Sequence, residues 1–290
     1  MLALHRSFRP EGGVVLHPVA IAAGRTGRCM RNSADHSRVV KLMHEGASHE
    51  ALSVLERLFR AAELAVAPTS SDIFMTMFQL QLLAEQYEPA RGFLRNMRAT
   101  QAERLLAGDI HFGLDGEPAV EEYRRIRRFS LIVEINHILE DHASTCEVFS
   151  QLDSGHAELA RRYAWAALPA LVAEGHFELA DRYRDDPLTL LDVVNEAALE
   201  LPLYPPPRQA PRLAAELSNL VRDVRIGMAV LRGMKDNGKA DALGEALVAG
   251  LDSDELKALA RRELDAPGTV IREVGDRQTA QEVADAQPPG

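Results

Sequence analysis

A nine-residue segment occurs twice in this chain, and its recurrence points to repeated helices. Gly155-His156-Ala157-Glu158-Leu159-Ala160-Arg161-Arg162-Tyr163 returns as Gly175-His176-Phe177-Glu178-Leu179-Ala180-Asp181-Arg182-Tyr183, with seven of nine positions identical. Each copy supplies a turn former, then an acidic residue where the first helical turn favours negative charge. The small Ala that follows lets a neighbouring helix approach closely. Looser copies lie upstream: Gly46 to Ala51 before Leu55, Tyr87-Glu88-Pro89-Ala90 before Leu94, and Glu117-Pro118-Ala119 before Tyr123.

From Ser33 onward the apolar residues recur at helical spacing. Leu52, Leu55, Leu58, Phe59 and Ala62 make one stripe, and Leu213, Leu217, Leu220, Val224, Met228 and Leu231 make another. Ile73 to Ala84 is apolar at nine of twelve positions, its polar members being Thr76, Gln79 and Gln81, which predicts a helix buried on most sides. Val120, Tyr123 and Ile126 leading into Leu131 to Leu139 predict one long helix. Two-residue alternation is never sustained over a strand length, so no strand is expected. The punctuation fits helices. Pro169 should kink or divide the helix after Trp165, and Pro187 suits the first turn of one running through Leu199. Asn237-Gly238 reads as a helix end, Gly250 as a left-handed cap, and Asp252 with Glu255 as a capping box.

The stretch Leu80-x2-Leu83-Ala84-x2-Tyr87-Glu88-Pro89-Ala90, with Phe177-Glu178-Leu179-Ala180, resembles the turn into the second helix of a tetratricopeptide repeat. Ala51, Ala90 and Ala160 stand near one and two repeat lengths apart, with about 34 residues per repeat. The pattern departs from the family: the early Trp is missing, the two best copies are only twenty residues apart, and no two full repeats align. The resemblance covers about Ala34 to Tyr183 and implies an all-α fold of antiparallel helix pairs. These would stack as a short tetratricopeptide-like solenoid with a C-terminal helical segment. A plain helical bundle, in which Gly-x-x-Glu-x-Ala only starts helices, is the other reading. The expected organisation is a basic leader over 1–31, a helical-repeat domain over 32–201, a Pro-rich linker over 202–211, C-terminal helices over 212–266 and a disordered tail over 267–290. Pro205-Pro206-Pro207 reads as a stiff connector, or as a ligand for an SH3-like domain.

Charge bears on partners. The chain carries a net charge of −10. Residues 1–31 hold five Arg and one Glu, a balance of +4, which leaves −14 on the rest. Such an acidic body repels a phosphate backbone, so no nucleic acid is expected. The leader reads as a disordered Gly/Arg-rich segment, as a weak targeting signal, or as residues ahead of a start at Met30. No uncharged apolar run reaches the roughly 18 residues of a membrane span, and a cytoplasmic location is expected. Cys29 and Cys146 form no CxxC motif. No cofactor is expected, and nothing resembles a Walker loop, a GxSxG elbow or a dinucleotide fingerprint.

The polar residues offer few sites. The basic run Arg124-Arg125-Ile126-Arg127-Arg128 stands out in the acidic sequence. Glu121 and Glu122 can pair with Arg125, and Arg124, Arg127 and Arg128 are the partner-binding residues expected, toward an acidic peptide or phosphate; a merely solvated helix face is the other reading. His156 and His176, the equivalent residues of the repeat, either line that surface or are turn residues. Glu134 and His137 have the i, i+3 spacing of di-iron carboxylate bundles. With His142 they give an alternative reading as a metalloenzyme, although no second Glu-x-x-His exists. His44 and His49, five apart, do not share a helix face. Cys146 with His142 could form a nucleophile pair, or Cys146 could be a buried structural thiol. The expected function is therefore a non-enzymatic scaffold whose helical-repeat groove holds a peptide or partner domain.

Overall fold

The structure is a computed structural model that describes residues 24–116 and 125–286, with side chains described over 33–116 and 125–285. Residues 1–23 of the expected leader, and Arg124, lie outside the described residues. Among those described, all regular elements are helices, and the chain forms two compact units that divide between Ala167 and Leu168. The division falls within a helix and not at the proline stretch.

The first unit contains α1 (Gly24–His44), α2 (Ser48–Glu63), α3 (Ser70–Ala84), α4 (Glu88–Leu106), α5 (Arg128–Leu139), α6 (His142–Gly155) and the start of α7 (Ala157–Ala173). From α1 to α6, each helix packs on the next, and α1 also touches α3 and α4 touches α6. This is the stacking of successive helix pairs. The predicted α2 stripe is buried throughout, and Phe59 meets Phe93 and Phe112 edge-on in the core. Phe129 stacks on Tyr163 at 5.2 Å. Residues 117–124, where the long helix is expected to begin, lie outside the described residues; among those described it starts at Arg128, because Arg125 to Arg127 run as loop in isolated bridges. Thr69 pairs with Arg125, His111 with Arg127, and Val66 with Leu114.

The second unit contains the end of α7, α8 (Phe177–Tyr183), α9 (Leu191–Glu200), α10 (Arg212–Gly233), α11 (Asn237–Gly250), α12 (Asp254–Asp265) and α13 (Thr269–Ala286). α10 is its axis, packed by α8, α9, α11, α12 and α13. Leu213, Leu217, Leu220, Val221 and Val224 of α10 are buried in this core.

Several boundaries differ from expectation for physical reasons. α7 runs through Pro169. α9 starts at Leu191, four residues after Pro187. Asn237 begins α11 and does not end α10, because the Asp236 carboxylate caps the Lys239 N–H. Ser253, one residue beyond the expected Asp252, caps α12 through Leu256 N–H. Gly250 is not left-handed; a Cβ there would lie 2.4 Å from Leu191 Cδ2, so a larger residue would have to displace the end of that side chain. The tail expected to be disordered forms α13, whose Val270 and Val274 are buried on the α10 core. The proline stretch is a turn closed by Gln209 N–H to the Pro206 carbonyl, with Arg208 at φ +69°. α13 holds it: Gln278 Nε2 donates to the carbonyls of Pro205, Pro206 and Gln209 at 3.0–3.1 Å, and the Tyr204 hydroxyl donates to Glu273.

One turn joins four of the helix pairs. An N–H bonds the carbonyl five residues earlier in Ala47 to Leu42, Asp141 to Asn136, His176 to Leu171 and Asp236 to Leu231. The residue before each donor is left-handed: Gly46, Glu140, Gly175 and Lys235. Four residues after each donor stands a small buried side chain, Ala51, Thr145, Ala180 or Ala240. Gly155, despite its matching neighbours, is not left-handed, and it ends α6 with His156 N–H bonded to the Leu152 carbonyl. The two nearly identical segments therefore enter their helices through different turns, while Ala160 and Ala180 are equally buried.

Candidate functional site

Arg128 departs most from what its sequence position suggests. Its side chain is fully buried, at 0% exposure, because α4 ends at Leu106 and the following loop folds back over the start of α5. The guanidinium spends its donors on that loop. Nε donates to the Asp109 carbonyl at 2.7 Å, Nη1 to Gln101 Oε1, and Nη2 to the His111 carbonyl. Nη2 also lies 2.7 Å from the Asp109 carboxylate. Arg104 joins Asp109 at 2.7 Å and Glu63 at 2.9 Å, and Glu63 accepts from Gln101 Nε2. Burial alone would push the Asp109 carboxyl up. The hydrogen bonds and charges of Arg128 and Arg104 outweigh it and hold the group below the usual range. Burial pushes Arg128 down against the opposing pull of Asp109. This network ties the loop to three helices, α2, α4 and α5, and its acceptors satisfy the arginine from within. Arg128 is thereby withdrawn from the expected partner-binding run. The helix face expected there presupposes a helix that starts earlier. Arg127 is half-buried at the N-cap of α5.

The remaining expected residues are dispersed. His156 and His176 are exposed and stand at the caps before α7 and α8. His176 occupies the place that Asp141 and Asp236 hold in equivalent turns, which makes it a turn residue. Glu134 and His137 are exposed on α5, and His142 opens α6 beyond the left-handed Glu140. Among the described residues, no group of three His, Cys, Asp or Glu side chains is arranged to hold a metal ion. Cys146 is buried and in no disulfide.

The surface the sequence did not single out is on α3. The helix expected to be buried on most sides is buried on one: Ile73, Met77, Leu80, Leu83 and Ala84 lie in the core with Thr76 and Gln79, while Phe74, Met75, Phe78 and Leu82 are exposed. The Gln79 amide is met by α1. His36 Nδ1 lies 2.8 Å from Gln79 Oε1, and Gln79 Nε2 donates to the His36 carbonyl at 3.0 Å. This double contact holds α1 beside α3. Phe74 and Phe78, one turn apart, stack with their planes 9° from parallel. Val40, one turn after His36, is exposed on the same edge of α1. Thr69 and Asp72 form a capping box that sets where α3 starts.

Compared with known proteins, the chain matches no family model, no curated protein and no solved structure. No helix among the described residues is long and apolar enough to cross a membrane. The fold and the surface define an all-α protein of packed helix pairs with one apolar helix face turned to solvent.

Proposed function

We propose that this protein is a non-enzymatic interaction scaffold, built of degenerate tetratricopeptide-like helix pairs, that binds a peptide or partner domain. The observation that carries the reading is the exposed apolar row on α3, because contiguous apolar faces on a folded chain mark interaction sites. The recurring turn with its buried small residue supports the repeat reading, since that pairing brings two helices close. The test is selection from a displayed library of random peptides against the full chain, with Phe74→Ser/Phe78→Ser as counter-target. Sequences enriched on the wild type and lost on the variant are expected. A library that yields no such sequence would sink the scaffold reading.

A further inference from the structure

The α3 face limits what can cover it, first by its size. Exposures of 54, 40, 45 and 37% at Phe74, Met75, Phe78 and Leu82 leave roughly 300 Å² of apolar surface, taking about 150–250 Å² for a large side chain. A stable protein–protein interface buries at least about 600 Å² from each partner. A second copy seated on this face alone would therefore fall short. Charge also argues against a second copy. No ionisable residue occurs from Ile73 to Ala84, and exposed Asp72 and Glu85 bracket the run. Two copies related by a twofold axis would bring acidic ends together, Asp72 against Glu85 where the two α3 helices run antiparallel and like against like where they run parallel. The net charge of −10 adds to that repulsion.

A single basic amphipathic helix meets the charge limit, and as a weak, transient partner it needs less area than a stable dimer. It anchors through apolar residues about one turn apart, at i, i+3 or i+4 and i+7, and Phe74, Phe78 and Leu82 likewise stand one turn apart, at i, i+4 and i+8 along α3. Its seat is the seam where His36 meets Gln79. Val40 lies one turn from His36, and Met75 and Leu82 lie one turn either side of Gln79. We infer that the α1–α3 seam docks an amphipathic helix of another protein, whose apolar stripe covers Val40, Met75, Phe78 and Leu82 and whose flanking Lys or Arg residues face Asp72 and Glu85. This rests on the scaffold reading and names its partner by chemistry.

The test uses the full chain and two fluorescent peptides of the same helical apolar stripe, one flanked by lysines and one by glutamates, read by anisotropy. The lysine-flanked peptide should bind at least about tenfold more tightly, a difference of about 1.4 kcal/mol, and lose most of that margin in high salt. Phe78→Ser should abolish binding of either peptide. Glu85→Lys keeps the apolar row and should narrow or reverse the preference, so the result does not depend on one variant. Equal binding of both peptides, binding that survives Phe78→Ser, or no binding of the lysine-flanked peptide each overturns the inference. So does a concentration-dependent dimer in sedimentation, or co-sedimentation with phosphatidylserine vesicles, that Phe78→Ser removes. If library selection enriches α3-dependent sequences that are acidic or extended, the scaffold reading stands and this inference fails.

Discussion

Arg128 and Asp109 are joined twice: the guanidinium Nε donates to the Asp109 carbonyl, and Nη2 lies 2.7 Å from the Asp109 carboxylate. One residue thus anchors both the main chain and the side chain of the loop after α4. Removing a buried charge from such a set costs about 3–5 kcal/mol, because the acceptors it served are left without a donor. Arg128→Ala should lose that much in urea unfolding. Arg128→Lys should recover little, since an ammonium has three donors and no planar fork. Arg127→Glu, on a half-buried neighbour, should stay within about 0.5 kcal/mol.

Acid stability should report the same contact. The Asp109 carboxyl titrates lower in the folded chain than in the unfolded one, against the upward push of burial. Its contribution is therefore fully present above the unfolded value of about 3.9 and is lost as pH falls through the lower folded value. Asp141, beside Arg98 and Ser144, is likewise lowered against burial and adds in the same window. Denaturant midpoints measured from pH 6 down to pH 2 should fall less steeply in Asp109→Asn than in the wild type. An unchanged slope would place the acid sensitivity elsewhere.

The buried small residues after the shared turn should resist enlargement. Ala51→Leu, Ala180→Leu and Ala240→Leu should each destabilise by about 1–3 kcal/mol through overpacking. Ala258, on the partly exposed side of α12, should accept Leu within about 0.5 kcal/mol. Leu and Ala differ little in helix propensity, so equal stability across the four variants would remove the packing argument.

The left-handed turn position gives a signed pair. Lys235 stands at φ +67°, where a side chain is strained and glycine is not. Lys235→Gly should stabilise by up to about 1 kcal/mol, whereas Gly175→Ala, at φ +76°, should destabilise by about the same amount. Thermal melts of both variants decide the sign.

Gly233 has a different reason to be glycine. A Cβ there would lie 2.3 Å from the Phe177 ring, at the ring atom nearest the backbone, where the side chain has little freedom to yield. Gly233→Ala should cost about 1–3 kcal/mol although alanine is the better helix former. Gly233→Ala combined with Phe177→Leu should recover part of that loss.

Much of the helix content is legible in the sequence because the α2 and α10 stripes carry a clear 3.6-residue period. Boundaries are less so. Glu140 and Lys235 adopt the same left-handed position as Gly46 and Gly175, yet nothing in their residue type announces it. The start of α5 at Arg128 depends on loop bridges formed with Thr69 and His111, residues distant in the chain. The α3 surface is hidden by its own richness. With nine of twelve positions apolar, the sequence shows no preferred side, and the packing of α1, α2 and α4 around the helix decides which side is buried. The burial of Arg128 is concealed for a related reason: a buried arginine requires acceptors, and here these include main-chain carbonyls, which a sequence does not display.

The burial of Val270 and Val274 against α10 also sets an order of events during synthesis. α10 leaves the ribosome well before Thr269, so the part of its apolar side that α13 covers stays open to water while the intervening helices are made. α11 and α12 can pack on α10 meanwhile, but the second unit finishes its core only when α13 arrives. A nascent chain halted before residue 269 would present that unfinished face to chaperones, and to other nascent chains on the same message.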